Sequence, residues 1–551
     1  MKKAVILTLT GVVLALATTA AAAPSAHRSG APGTLVLVPA SDVPPARGPA
    51  APPPYGYLPL HAHEFAVAKA AANARAGVNV NSGRRGGGGG GGPVVTAYSN
   101  VSPSFNGTYF TGGTPPDTTG AIGPDRYIEA VNTQYGIYSR SGSLINTGSL
   151  SSLTGISTGF FGYTLSDPQM MWDAQTQRFY YSAVYYDFFL SDNGLAVGWS
   201  KTATPSSSAD FCQYAISAGS ELPDYPKLGD SSDFLLYGFN QFGNFGSTYD
   251  GSAFVTLNKP PAGSTCASPS AFTVYTSGAL HNADSSLAST PVPANLVDDS
   301  AGTGYVVANA DLSVTPSANF VSVYAATKSG TDANGIPIPT FSGPTNVTVP
   351  SYSMPPSAPQ NGSSYLLDTL DGRFEAAVAA VDPRNGGNVA IWTAHAVYGG
   401  AGSEERWYEI NATGSLLQSG VASDPSLFVW NGAISPDRLD NGTTGSFGGS
   451  MAMSVSTSSA GTYPAIQFVW KNAASAQTGL KKLVQSAGPS IDLSCSSTTP
   501  CRWGDYSGAT PDPAATGTIG KVWLANQYNL AGGTTSSTAW RTWVVGVTPT
   551  P

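Results

Sequence analysis

Charge is scarce in this chain of 551 residues: Asp, Glu, Lys and Arg make up 11% of it, against roughly a quarter in ordinary soluble domains. Histidine is scarcer, with five in all, and there are four cysteines and six methionines. Long, charged, glycine-poor stretches are missing, which excludes a coiled coil or a helical bundle, since both need them. A basic surface is missing too. The net charge is −8, and neutralising a phosphate backbone requires the opposite sign, so nucleic acid is not an expected partner. No apolar run reaches the ~20 residues of a membrane-spanning helix. Only His281 and His395 lie beyond the N-terminal region, too few for a zinc hydrolase built on two or three histidines. No Gly-x-Ser-x-Gly elbow, phosphate-binding glycine loop or dinucleotide fingerprint occurs in the body.

What is plentiful is glycine (64), proline (42) and aromatic side chains (10%), within a 41% hydrophobic composition. That is ample material for a core interrupted by many turns. The N-terminus runs Lys2-Lys3, an apolar stretch over 4–17, then small residues to Ala23. This order of charge, apolar run and small residues predicts a signal peptide over 1–22 and a secreted, extracellular protein. Residues 23–92 are Pro-, Gly- and Ala-rich and close on seven glycines, Gly86 to Gly92. Such a segment buries too little apolar area to offset chain entropy, and reads as a disordered extension with one Ala-rich stretch, 63–76, able to form a helix. The extension carries six Lys/Arg against two Asp/Glu, so the body beyond it is the acidic part. Export makes the cysteines disulfide candidates: Cys495 with Cys501 as a short loop staple, and Cys212 with Cys266 by default among three possible connectivities.

From residue 93 onward a unit recurs. A turn rich in Asp, Gly and Asn followed by an aromatic or β-branched strand appears at 123–130, 172–181, 229–237, 299–307, 382–392, 437–453 and 512–524. Each is followed by a second alternating strand, such as 195–199, 253–257 or 465–470, and six are followed by one more. Seven units of four strands predict an all-β fold, a seven-bladed β-propeller over 93–551, in preference to a pair of β-sandwiches. The seventh unit lacks its last strand. Residues 93–100 (Pro-Val-Val-Thr-Ala-Tyr-Ser-Asn) are the expected donor, pairing beside the strand near 540–547 to close the ring and hide an open edge.

Asp117, Asp167, Asp224, Asp368 and Asp505 stand at or near the starts of the innermost strands. Asp commonly caps turns, but acids converging on one channel mouth suit a cation, or a carboxylate pair that cleaves a glycosidic bond. Asp117, Asp167, Asp224 and Asp505 are the catalytic candidates. Arg373 and Arg406 are expected to clamp substrate, with Asp368, Trp503 and Tyr506 lining it. Asp437, Asp440 and Asn441 form a candidate Ca2+ loop, although no cofactor is required. His395 alternates with apolar neighbours and reads as a buried, hydrogen-bonded histidine.

The ordered set Pro116-Asp117-Thr-Thr-Gly120, Asp167-Pro168-x-x-x-Trp172-Asp173, Pro223-Asp224-Tyr225-Pro226-Lys227, Arg406-Trp407-Tyr408-Glu409 and Arg502-Trp503-Gly504-Asp505-Tyr506-Ser507 resembles a family of secreted bacterial propeller-like proteins. That family is described loosely as sialidase-like or repeat-containing. The resemblance spans about 115–547 and implies the fold and secretion, with no established activity attached. The sequence departs from the family pattern at 436–445, and the Ser-x-Asp-x-Gly-x-Thr-Trp box of true sialidases is absent. Two functional readings follow. The first is a carbohydrate-directed hydrolase or lyase acting on an extracellular polysaccharide or surface glycan; the second is a non-catalytic glycan- or protein-binding adhesion module. A monomer is expected in either case.

Overall fold

The computed structural model describes residues 36–46, 58–78 and 92–551, apart from short stretches including 110–112, 159–161, 298–301, 438–447 and 516–518. Residues 1–22, expected to be a signal peptide, lie outside the described residues.

Seven antiparallel sheets follow one another along the chain, at 119–149, 164–219, 222–276, 289–352, 377–422, 428–485 and 508–547. They are blades 1 to 7 below. Within each blade the strands run in sequence order from the axis outward, so each recurring Asp/Gly/Asn turn joins a first strand to a second. The innermost strands are Thr119–Ile122, Thr164–Asp173, Leu222–Asp230, Ser289–Pro293, Ala377–Asp382, Phe428–Pro436 and Gly508–Pro511. Neighbouring ones lie side by side around a central channel. Blades 4 and 5 are additionally latched, because the chain leaving Ser289–Pro293 runs on as Asn295–Leu296, parallel to Val378–Ala379.

Burial follows radius. Inner and middle strands are sandwiched between neighbouring blades and read as continuous apolar or aromatic runs; Arg178–Tyr186 is buried at every position. The outermost strand of blade 5, Ser415–Ala422, alternates exposed and half-buried residues as a one-sided sheet edge should. Aromatic pairs fill the seams: Trp392 stacks on Trp407 with centroids 5.7 Å apart, and Trp430 meets Trp503 edge-on at 5.9 Å.

Ring closure by an N-terminal strand holds, with a corrected donor. The fourth strand of blade 7 is Val101–Asn106, with Val101 opposite Val547 and Asn106 opposite Trp543. The expected donor 93–100 contributes only Val94–Val95, which pairs with Val484 and Gln485 at the rim of blade 6. The clasp is completed by buried Glu129 of blade 1, whose Oε2 accepts the Thr108 N–H at 2.6 Å.

The disordered extension over 23–92 needs one correction, and its Ala-rich stretch forms the expected helix. Leu37–Pro39 is a fifth strand on blade 2, opposite Tyr214–Ile216. Ala62–Arg75 is a helix, half of it alanine, with Glu64 in its first turn and Arg75 in its last, each complementing the helix dipole. Both expected disulfides are present, Cys212–Cys266 and Cys495–Cys501. Among the described residues no helix is long and apolar enough to cross a membrane.

Candidate functional site at the channel mouth

A backbone device recurs at the head of the innermost strands. Asp167 (φ 53°), Tyr225 (φ 55°), Thr290 (φ 49°) and Asn431 (φ 56°) adopt the left-handed conformation, and Asp117 (φ 48°) does so just before the blade 1 strand. In blades 2, 3, 4 and 6 the ladder to the second strand slips at that point, between Ser166 and Gln169, Asp224 and Lys227, Ser289 and Val292, and Trp430 and Ala433. Each bulge re-aims the local side chains. Asp and Asn tolerate this backbone; Tyr and Thr do so at a cost of roughly 1–3 kcal/mol each.

Two of these bulges carry Asp167 and Asp224, and Asp117 and Asp505 join them at the mouth. Asp117 is fixed from two sides: its Oδ1 accepts the Asp505 N–H and its Oδ2 accepts from Asn132 Nδ2, both at 2.6 Å. Asn132 Oδ1 in turn accepts the Asp167 N–H at 2.8 Å, tying blade 1 to blade 2. Asp505 receives Arg502, which also reaches Asp368 at 3.5 Å. Tyr225 donates its hydroxyl to the Asp505 carbonyl at 2.9 Å, and Tyr506 donates to the Pro168 carbonyl at 3.0 Å. Lys227 lies between those two rings, its Nζ 3.3 Å from the Tyr506 centroid and 4.1 Å from that of Tyr225. Below it the channel narrows to a cavity of about 50 Å³ lined by Lys227, Glu375, Thr119, Gln169, Asn295 and Thr510.

Burial sets the proton affinities here. Desolvation, with Asp224 and Asp505 adding repulsion, pushes Asp167 up to about 7. Asp224, the more exposed of the pair, rises to about 7 by desolvation, against the pull of the Arg373 guanidinium. Asp117 is held well above the usual carboxylate range by burial and by Asp505. Lys227 is driven down to about 7 by burial, opposed chiefly by Glu375. One lysine, Lys227, and two acids, Asp167 and Asp224, are thus brought by burial to proton affinities near neutrality.

The structure sorts the remaining candidates. Asp368 and Tyr506 join the mouth. Arg373 does as well, but its Nε and one Nη bond Asp371 at 2.9 and 3.0 Å, and its guanidinium lies 4.5 Å from the Tyr225 ring centroid. Arg406 is elsewhere: it sits on the third strand of blade 5 and donates to the carbonyls of Pro350 and Ser351 and to Glu404. Its expected place as a clamp is corrected, because a strand that far from the axis cannot aim a side chain into the channel. Trp503 is buried between blades, with its indole N–H on Ser456 Oγ at 2.8 Å. Of the Ca2+ loop, Asp437 already accepts three backbone N–H groups, from Gly448, Ser450 and Gly520; Asp440 and Asn441 lie outside the described residues. Among the described residues no group of three or more His, Cys, Asp or Glu side chains is placed to hold a metal ion. His395 is buried between the Gly372 carbonyl (2.7 Å) and the Tyr408 hydroxyl (3.0 Å).

Lys227, Glu375, Asn132, Asp371 and Lys69 were not singled out from sequence. For Lys227 a signal existed, since it follows Asp224 by three residues within Pro-Asp-Tyr-Pro-Lys. For Lys69, some 300 residues from its partners, there was none.

No family model matches the chain, and no curated protein does. The family resemblance drawn from the ordered motifs thus has no family model behind it. Among solved structures the chain is similar to the Dos1 propeller (11% identity, 81% of this chain and 95% of that one, TM-score 0.37). It is also similar to an α-L-arabinanase of Penicillium chrysogenum complexed with arabinobiose (12%, 65% and 95%, TM-score 0.34) and to Trypanosoma rangeli sialidase in complex with sialic acid (10%, 69% and 54%, TM-score 0.31). The seven-bladed architecture stands on the strand pairing itself.

Proposed function

We propose that this chain is a carbohydrate-directed propeller that hydrolyses glycosidic bonds of an extracellular polysaccharide or surface glycan at its channel mouth. The supporting observation is the convergence of Asp167 and Asp224 from adjacent blades, the two candidate acids whose carboxylates are least committed to structural bonds. In the reaction one of the pair, protonated, delivers its proton to the leaving oxygen. The other, ionised, attacks the anomeric carbon or activates a water. Two carboxyls balanced near neutrality can divide those roles. Hydrolysis is favoured over uronate elimination because Arg373, the cation an eliminating enzyme would place on the uronate carboxylate, is engaged bidentately by Asp371.

A glycan-binding module without turnover is the second reading, favoured by the engagement of Asp117 and Asp505 in hydrogen bonds and ion pairs. Product release from plant, fungal and bacterial polysaccharides separates the two. New reducing ends are expected from the folded protein, with a loss of at least about 100-fold in Asp167→Asn and Asp224→Asn, both of which still melt cooperatively at a temperature no lower than the wild type's. Silence of the folded protein across the panel would leave the binding module, to be read on a glycan array.

A further inference from the structure

The helix Ala62–Arg75 is lightly held. Only Lys69 and Ala72 among its side chains are buried, Val67 is 58% exposed, and a groove of about 610 Å³ lined by Val67, Ala71, Leu312 and Met354 runs beside it. Its attachments are mostly polar: Asn73 Oδ1 accepts the Ser357 N–H at 2.8 Å, Arg75 donates to Ser353 Oγ at 3.0 Å, and His61 meets Asp311 at 2.7 Å. The deepest attachment is Lys69. Its ammonium donates to Thr369 Oγ1 at 2.8 Å and to the Leu370 carbonyl at 2.5 Å, with Asp368 Oδ1 at 4.0 Å.

The acceptors that receive this ammonium owe their positions to the propeller, not to the helix. Thr369 Oγ1 is oriented by donating to the Pro356 carbonyl at 2.9 Å. The Leu370 N–H bonds Asp368 Oδ1 at 3.0 Å, and Asp368 Oδ2 faces Arg502 at 3.5 Å. Through Arg502 the same loop reaches Asp505 in the mouth. A hydroxyl oxygen, a carbonyl and a carboxylate around one compact, three-donor cation match a primary ammonium; they offer no planar fork for a guanidinium.

We infer that Asp368, Thr369 and the Leu370 carbonyl form a binding site for a primary ammonium group at the rim of the mouth, and that the N-terminal helix fills this site in cis with Lys69. An amine-bearing ligand reaching the mouth competes with the helix for the site. The site is independent of whether the mouth turns over a glycan.

The test uses the full chain with Lys69→Ala, which empties the site, and n-butylammonium chloride as probe against tetramethylammonium chloride at equal concentration. The melting temperature of the variant rises by about 1–2 °C with the primary amine alone near tenfold saturation. The rise disappears in Lys69→Ala/Asp368→Asn. A cooperative melt with no rise, or an equal rise with both cations, overturns the inference. Should Lys69→Ala fail to fold, hydrogen exchange on the unaltered chain decides: helix amides over 62–75 exchange faster in n-butylammonium than in tetramethylammonium, and identical exchange overturns it. Glucosamine and Nα-acetyl-lysine methylamide, applied in turn to the variant, distinguish an amino sugar from a peptide side chain as the source of the amine.

Discussion

Arg502 shows how a single residue can be structural and still define a site. It is buried and bridges Asp368 and Asp505, which come from different parts of the mouth. Arg502→Ala removes the ion-pair partner of buried Asp505 and leaves Asp368 with Lys69 alone at 4.0 Å, and a loss of about 3–5 kcal/mol in denaturant unfolding is expected. Asp167→Asn behaves oppositely. Its carboxyl titrates near 7 in the fold against 3.8 outside it, so at pH 8 the wild type carries a penalty for ionising a buried acid. The variant is expected to be more stable there by about 1–3 kcal/mol, with the difference vanishing as pH falls towards 4. His395 was legible as a buried histidine from its apolar neighbours alone. Lys227 was signalled only by its closeness to Asp224; its seat between two tyrosine rings was not, because nothing in a period-two pattern says that one polar position will be turned there.

At the level of strands, the closing segment carries the sharpest consequence. Removing 101–106 opens blade 7 along Trp540–Val547 and is expected to abolish a single cooperative melt. Removing 94–100 takes only a short rim pair from blade 6 and should lower the melting temperature by a few degrees. Gly229 makes a comparable point inside a strand: a Cβ there would lie 2.5 Å from the Ala294 carbonyl oxygen. Gly229→Ala should cost about 1–3 kcal/mol by forcing apart the inner strands of blades 3 and 4, read from the denaturation midpoint at unchanged m. The two disulfides should differ as their loops differ, 54 residues for Cys212–Cys266 against 6 for Cys495–Cys501. Paired Cys→Ala substitutions are expected to cost about 4 and about 2 kcal/mol respectively on the loop-entropy account.

For the molecule as a whole, buried acids make stability depend on pH with an unusual sign. Asp167, Asp224 and Glu129 are all raised to about 7. Between their unfolded values near 4 and pH 7 the native chain therefore binds more protons than the unfolded one. Stability falls as pH rises through that window. Buried basic groups oppose the trend, among them Lys69, lowered to about 8 by burial. His395, lowered to about 3 by burial, costs stability as pH drops below 6.5. Lys227, lowered to about 7, restores some between pH 7 and 10.5. Melting temperatures measured across pH 4–10 should therefore dip near neutrality, and Asp167→Asn/Asp224→Asn should make the dip shallower. A profile rising steadily from pH 4 to 7 would show that the mouth carboxyls ionise freely.

The sequence by itself determined the number of blades and the turn between the first and second strand of each; it favoured the two disulfide pairings, which the fold selected from three connectivities. Blade number and turns are local and repeated: turn chemistry and strand alternation act over a few residues and recur seven times. Only the tertiary structure decided which strand closes the ring. Residues 93–100 and 101–106 are both competent strands, and the choice lies with register against Trp540–Val547 and with the distance to blade 6. It also decided which acids meet. Convergence involves left-handed backbone at Asp117, Asp167 and Tyr225, and tyrosine gives no sign of such a conformation in sequence, because packing around the axis stabilises it against local preference. The seating of Lys69 on a loop three hundred residues away belongs to the same class: two distant segments meet because the ring brings them to one face.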